Sequence, residues 1–167
     1  NPTGSSVCRQ LTQVGSTVLF SADNGTDGDE LWRTNGTLAG TAMVLDINST
    51  GDSEPKEFFP IGSQMFFSAD DGVNGRELWI TDGTPGGTQM IADINPGADG
   101  SFPCKFFQFG GLVYFYAETA AEGIELWVTD GTPGGTSLFL DIYTGTTSSL
   151  GFNNSSTLVG SGFLELG

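Results

Sequence analysis

Apolar and polar residues alternate along this chain with a period of two. The runs VLFSA at 18–22, MFFSA at 65–69 and VYFYA at 113–117 are rich in β-branched and aromatic residues. The run RELWITD at 76–82 sets Leu78 and Ile80 on one face and Trp79 on the other, as a strand buried on both sides would. TQMIADI at 88–94 makes a third run of the same kind, and the stretches around Phe58-Phe59 and Phe106-Phe107 make a fourth. Between them stand DDGVNG, TDGTPGG and NPGADGS, each combining glycine with Asp, Asn or Pro as tight hairpin turns require. No segment carries the 3.6-residue period of a helix, so the pattern predicts an all-β chain of short antiparallel strands.

The pattern also repeats. VLFSADNGTDGDELWRTNGTLAGTAMVLDI (Val18 to Ile47), MFFSADDGVNGRELWITDGTPGGTQMIADI (Met65 to Ile94) and VYFYAETAAEGIELWVTDGTPGGTSLFLDI (Val113 to Ile142) align throughout. Trp32, Trp79 and Trp127 fall 47 and 48 residues apart. A fixed period of this size signals units that cannot bury their own apolar faces and must stack on neighbours. Four short strands per unit, turns included, predict β-propeller-type blades, each a four-stranded antiparallel sheet. The recurring ELW tryptophans are then packing residues between blades; stacking on sugars is the alternative.

The phrase ELWxTDGTxxGT, preceded by a DDGxxG hairpin and followed by a DINPG turn, resembles the ELWxxDGT repeat family of large secreted and surface proteins. The resemblance implies an extracellular all-β repeat protein of propeller-type blades, and implies no reaction. The first unit departs from the pattern at Asn35 and at Leu38-Ala39, and the third replaces the acidic hairpin with ETAAEG.

Gly15, Gly62, Gly110 and Gly160 each precede a VLF-type strand. Counted from those strands, residues 1–17 close a preceding blade, 18–64, 65–112 and 113–159 form blades 1 to 3, and 160–167 open a further one. This predicts about three full blades plus a loose strand at each end. A propeller ring takes about four to eight blades, and unpaired edge strands invite pairing. Copies of the chain joined head to tail through these strands would give a closed ring or an open filament; in a longer chain the strands would simply continue. The opening NPTGSSVCRQ has neither an initiator Met nor a signal sequence, which suits a processed or excised segment.

Composition narrows the partners. Twenty Asp and Glu against five Lys and Arg leave a formal net charge of −15, which repels nucleic acid and anionic membranes. No apolar run is long enough for a membrane-spanning helix. The chain has no His, and so lacks the usual general base near neutral pH and the commonest metal ligand. No catalytic constellation stands out. Glu30, Glu77 and Glu125 could serve a glycosidase only if two of them came close in different environments; as repeat residues they instead satisfy backbone donors or the Thr hydroxyls of the following turn. Sequons at Asn24, Asn35, Asn48, Asn153 and Asn154 point to a secreted or cell-surface glycoprotein.

Two further groups carry candidate chemistry. Asp23, Asp27 and Asp29 in the first unit, and Asp70, Asp71 and Asn74 in the second, place hard oxygen ligands around glycines, as a Ca²⁺ loop does. They lack the twelfth-position glutamate of such a loop, and closing a β-turn on their own backbone is the competing role. Cys8 and Cys104 occupy similar blade positions two units apart, too far for an internal bridge; an interchain disulfide is the alternative to two free thiols. The Phe58-Phe59, Phe66-Phe67 and Phe106-Phe107 doublets should send one ring between blades and the other toward the next subunit. The whole reads as an extracellular structural or adhesive glycoprotein that assembles from its own copies, with a glycan-binding module, Ca²⁺-dependent or not, as the alternative.

Overall fold

The computed structural model describes residues 6–142. They form three four-stranded antiparallel meanders, each with its strands in sequence order. Blade 1 holds β1 (Arg9–Val14), β2 (Thr17–Asp23), β3 (Asp29–Thr34) and β4 (Ala42–Leu45). Blade 2 holds β5 (Lys56–Ile61), β6 (Gln64–Asp70), β7 (Arg76–Thr81) and β8 (Gln89–Ala92). Blade 3 holds β9 (Cys104–Phe109), β10 (Leu112–Thr119), β11 (Gly123–Thr129) and β12 (Ser137–Leu140). No helix among the described residues is long and apolar enough to cross a membrane.

The blades begin one strand earlier than the repeat count placed them. Arg9–Val14 does not close a preceding blade: it pairs with β2 as the first strand of blade 1, and β5 and β9 likewise open blades 2 and 3. A period gives unit length and leaves phase open. Loop length fixes the phase here, because β1 and β2 are joined by two residues, with Val14 paired to Thr17 and Gly15 at φ +59°. Only a residue comfortable at positive φ closes so short a hairpin. By contrast, β4 reaches β5 through the linker 46–55. No loose strand remains among the described residues, and the strand expected at 160–167 lies outside them.

Each strand sends alternate side chains to opposite faces, and both faces of blade 2 meet a neighbouring blade. Val14, Leu19, Leu31, Val44 and Ile47 of blade 1 pack against Met65, Phe67, Ala69 and Trp79 of blade 2. Phe66, Leu78, Ile80, Ile91 and Ile94 on the other side of blade 2 pack against Val113, Phe115 and Ala117 of blade 3. Leu78 and Ile80 thus part from Trp79, as the alternation predicts. The Phe doublets split the same way. Phe58 meets Phe67 edge-on at 6.1 Å and 76°, in the cluster shared with blade 1. Phe59 lies 5.9 Å from Phe106 of blade 3. Burying one such ring contributes about 1.5–3 kcal/mol, so the blade interfaces carry the stability that single sheets lack.

The DGT phrase is a turn complete in itself. Pro85–Gly87 forms a 3-10 turn capped by Thr84, whose Oγ1 accepts from the Gly87 amide at 3.1 Å. Asp82 Oδ1 accepts from both the amide and the hydroxyl of Thr84. The hydroxyls of Thr81 and Thr88, at the two mouths of the loop, pair at 2.7 Å. Thr34–Thr41 and Thr129–Thr136 repeat that pair at 2.7 Å. Asn35 accepts from Thr37 as Asp82 does from Thr84, so the first unit's departures leave the turn intact.

Candidate functional site

The glutamate of ELW is fully buried in every blade and holds down the linker that leaves it. Glu30 accepts from the amides of Ile47 (2.9 Å), Asn48 (3.3 Å) and Ser53 (3.2 Å), and from the Ser53 hydroxyl (2.6 Å). Glu77 accepts from the amides of Ile94 (3.0 Å) and Asn95 (3.2 Å) and from the Ser101 hydroxyl (2.5 Å). Glu125 takes the Ile142 amide at 3.1 Å. The clamped linker packs closely, and at Gly100 a Cβ would stand 2.4 Å from the Arg76 amide nitrogen. The backbone donors expected for these glutamates are there, whereas the Thr hydroxyls pair with one another. These buried carboxylates are bonded to their own linkers, which is the packing role expected of repeat residues.

These clamps give stability an unusual pH dependence. Burial pushes the Glu30 and Glu77 carboxyls above the ordinary value of 4.5, and the bonds from Ser53 and Ser101 only partly offset it. A folded state that binds protons more tightly than the unfolded chain is favoured at low pH. Their contribution is therefore full below about pH 4.5 and declines as pH rises through their folded values. Asp82 and Asp130 act oppositely. Bonds from Thr84 and Thr132 hold them below the ordinary 3.8, and their contribution is lost as pH falls through their folded values. The melting temperature should rise from pH 7 down to about 4.5 and fall on further acidification. Glu77→Gln should flatten the upper limb; an unchanged upper limb in that variant would remove Glu77 as its source.

The hairpin carboxylates turn inward on their own loops. Asp23 accepts from the Gly25 amide (2.5 Å). Asn24 accepts from the amides of Thr26 and Asp27 and donates to the Asp27 carboxylate at 2.6 Å. Asp70 accepts from Gly72, and Asp71 takes the amides of Val73 and Asn74 together with the Asn74 side chain. Asp29 points elsewhere, to the Ser21 hydroxyl and to Arg9 at 3.3 Å. No three His, Cys, Asp or Glu side chains gather as a metal-holding group among the described residues. Asp23, Asp70 and Asp71 thus close their own turns, Asp27 and Asn74 are bonded within them, and Asp29 instead ties β3 to Ser21 and Arg9.

The sequons differ in access. Asn35 is exposed, and Asn24 is half-buried in its turn. Asn48 is only 8% exposed, with its amide donated to the Asp52 carbonyl at 3.2 Å, so in the folded blade it presents no free acceptor. Asn153 and Asn154 lie outside the described residues. Cys8 and Cys104 are not bridged to each other within the chain, Cys8 being exposed and Cys104 half-buried. Burial, with the charge of Glu57 nearby, pushes the Cys104 thiol upward.

What remains is a pair of end faces. Phe107, Phe109 and Phe139 on the outer face of blade 3 are 64%, 69% and 53% exposed, clustered with Tyr114 and Leu126. Tyr114 and Phe139 meet edge-on at 5.2 Å. At the same repeat positions of blade 2 stand Phe59, Ile61 and Ile91, packed under blade 3. On the outer face of blade 1, Leu11 is 69% exposed and Phe20 and Trp32 are half-buried, where blade 2 has Phe58, Phe67 and Trp79 against its neighbour. Trp127 packs between blades as Trp79 does. Trp32 instead lines an open hollow with Cys8, Phe20 and Thr41. The sequence offered no sign of these faces, because the exposed and covered copies are written in the same words.

Blade 3 is also the most apolar at one shared notch. In blade 2, Arg76 fills it, donating to the Glu54 and Ser68 carbonyls at 2.8 and 3.2 Å and pairing with the Glu54 carboxylate at 3.2 Å. In blade 3 the corresponding residues are Ile124, Phe102 and Tyr116, which line a hollow with Cys104.

No protein-family model matches the chain, and no curated protein sequence matches it. Among solved structures, a Pyrococcus horikoshii acylaminoacyl peptidase superposes with a TM-score of 0.52 at 18% identity, over 81% of this chain and 20% of that one. The S511A mutant of a puromycin hydrolase, complexed with PGG, superposes with a TM-score of 0.59 at 13% identity, over 80% and 20%. The chain spans about a fifth of the length of these structures. At such identities the likeness is one of fold, and it fits the three blades to a propeller-type architecture.

Proposed function

We propose that this chain is a stretch of an extracellular structural or adhesive glycoprotein of the ELWxxDGT repeat type, which works by joining copies of itself into a ring or filament. The observation that carries this reading is the pair of opposite end faces, whose exposed aromatic residues stand where their repeat counterparts hold blade to blade. In this reading the joining runs through blade faces, where the exposed apolar side chains lie, while the described strands are each paired within a four-stranded sheet. Exposed apolar patches of this kind mark interaction surfaces. The acidic composition and the sequon at exposed Asn35 support a secreted, glycosylated protein. Sedimentation of the purified chain at micromolar concentration should show oligomers, and electron micrographs should show rings or fibres. A species that stays monomeric up to tens of micromolar would remove the reading.

A second reading, glycan binding, is favoured by one observation. Trp32 and Phe20 are accessible beside the polar groups of Asn24 and Thr41, an aromatic platform that a sugar ring could stack on. Retention of a monomer on a glycan array, lost on Trp32→Ala, would favour it over assembly.

A further inference from the structure

We infer that the outer face of blade 3 is the seat for the outer face of blade 1 of a second copy, so that copies stack head to tail in continuation of the blade order. This rests on the self-assembly reading and names its interface. Two interfaces inside the molecule supply the template. In both, a face bearing Phe58, Phe67 and Trp79, or Phe106, Phe115 and Trp127, seats on a face of the Phe59, Ile61 and Ile91 kind. Among the described residues one copy of each is unmatched: Leu11, Phe20 and Trp32 on blade 1, and Phe107, Phe109 and Phe139 on blade 3. The two halves of the interface thus differ, and each fits the other better than itself. Such a contact is heterologous and propagates, whereas a self-complementary one stops at two copies.

The seat on blade 3 is more apolar than its internal counterparts. Where blade 2 carries the Arg76–Glu54 pair, blade 3 carries Ile124, Phe102 and Tyr116 around Cys104. Inside the molecule, the opening strands of adjacent blades run side by side, and the Lys105 amide donates to the Glu57 carboxylate at 3.4 Å. By the same stacking, Lys105 of one copy comes beside Gln10 of the next. Cys104 and Cys8 flank those two positions, one thiol on each side of the new contact.

The native thiols provide the test. A short bismaleimide, each maleimide adding one thiol across its double bond, should link Cys8 of one copy to Cys104 of another. The expected result is a ladder on denaturing gels, Cys8–Cys104 peptides after proteolysis, and loss of the ladder in both Cys8→Ser and Cys104→Ser. Because Phe139 is exposed, Phe139→Asp should fold normally while weakening self-association at least about tenfold, as loss of an aromatic anchor does. Links that are mainly Cys104–Cys104 or Cys8–Cys8, or association unchanged in Phe139→Asp, would overturn this interface while leaving self-assembly standing. A monomeric wild-type chain would overturn both. A monomer whose Cys104 resists alkylation would show that residues 143–167 of the same chain cover the face, which also overturns the proposal.

Discussion

Replacing Glu77 by alanine should lower the free energy of unfolding by roughly 3–5 kcal/mol, the usual penalty when one partner of a buried charged network is removed. The amides of Ile94 and Asn95 and the hydroxyl of Ser101 converge on that carboxylate, and alanine leaves all of them inside without an acceptor. Water has little access to repair the loss, since Ser101 is itself fully buried. Gln should recover less than half, because its amide nitrogen would face donors. Urea denaturation of the three proteins decides the matter; a loss below about 1 kcal/mol in Glu77→Ala would mean that the linker is held chiefly by packing.

Phe20, Phe67 and Phe115 share one repeat position, and alanine there should act very unequally. Phe67 and Phe115 are 0% exposed, each pressed against the preceding blade, and their loss should cost about 3–5 kcal/mol through lost transfer energy and the cavity left behind. Phe20 is only half-buried, with no blade packed over it among the described residues, and should cost only about 1–2 kcal/mol in the dilute monomer. Equal losses at all three positions would show that blade 1 is covered in solution even at low concentration. The same denaturation series, repeated at rising protein concentration, separates these outcomes by mass action.

The fold was legible because stacked blades need the same residues at each interface, and repetition writes that need into the chain three times. Alternation placed Leu78 and Ile80 opposite Trp79, and the turn residues marked the hairpins. Phase escaped, because a period of 47 or 48 residues is the same wherever counting starts; the information lay in the two-residue loop after Val14, against the longer linker after Leu45. The hairpin carboxylates were ambiguous for another reason. Asp and Asn around glycine suit both a cation and a turn, and only the direction of the side chains distinguishes the two. The candidate interface was hidden most completely. Phe59 and Phe107 are the same residue at the same repeat position, and among the described residues only Phe59 has a blade packed over it, which leaves it half-buried and Phe107 exposed.

Each glutamate clamp reaches forward by about two dozen residues and no farther: Glu30 to Ser53, Glu77 to Ser101. The linker then passes the chain on, with the Ser53 carbonyl accepting from Asp70 and the Ser101 carbonyl from Glu118. Every hydrogen-bonded connection described here is therefore made either within a blade or to the next one. A ribosome delivers residues in that same order. Once the roughly fifty residues of a blade have emerged, it has its four strands and its clamp, and the face toward the next blade waits for a cover. The next blade arrives as that cover and brings the next open face with it, so folding can keep pace with synthesis, one blade face at a time toward the growing end.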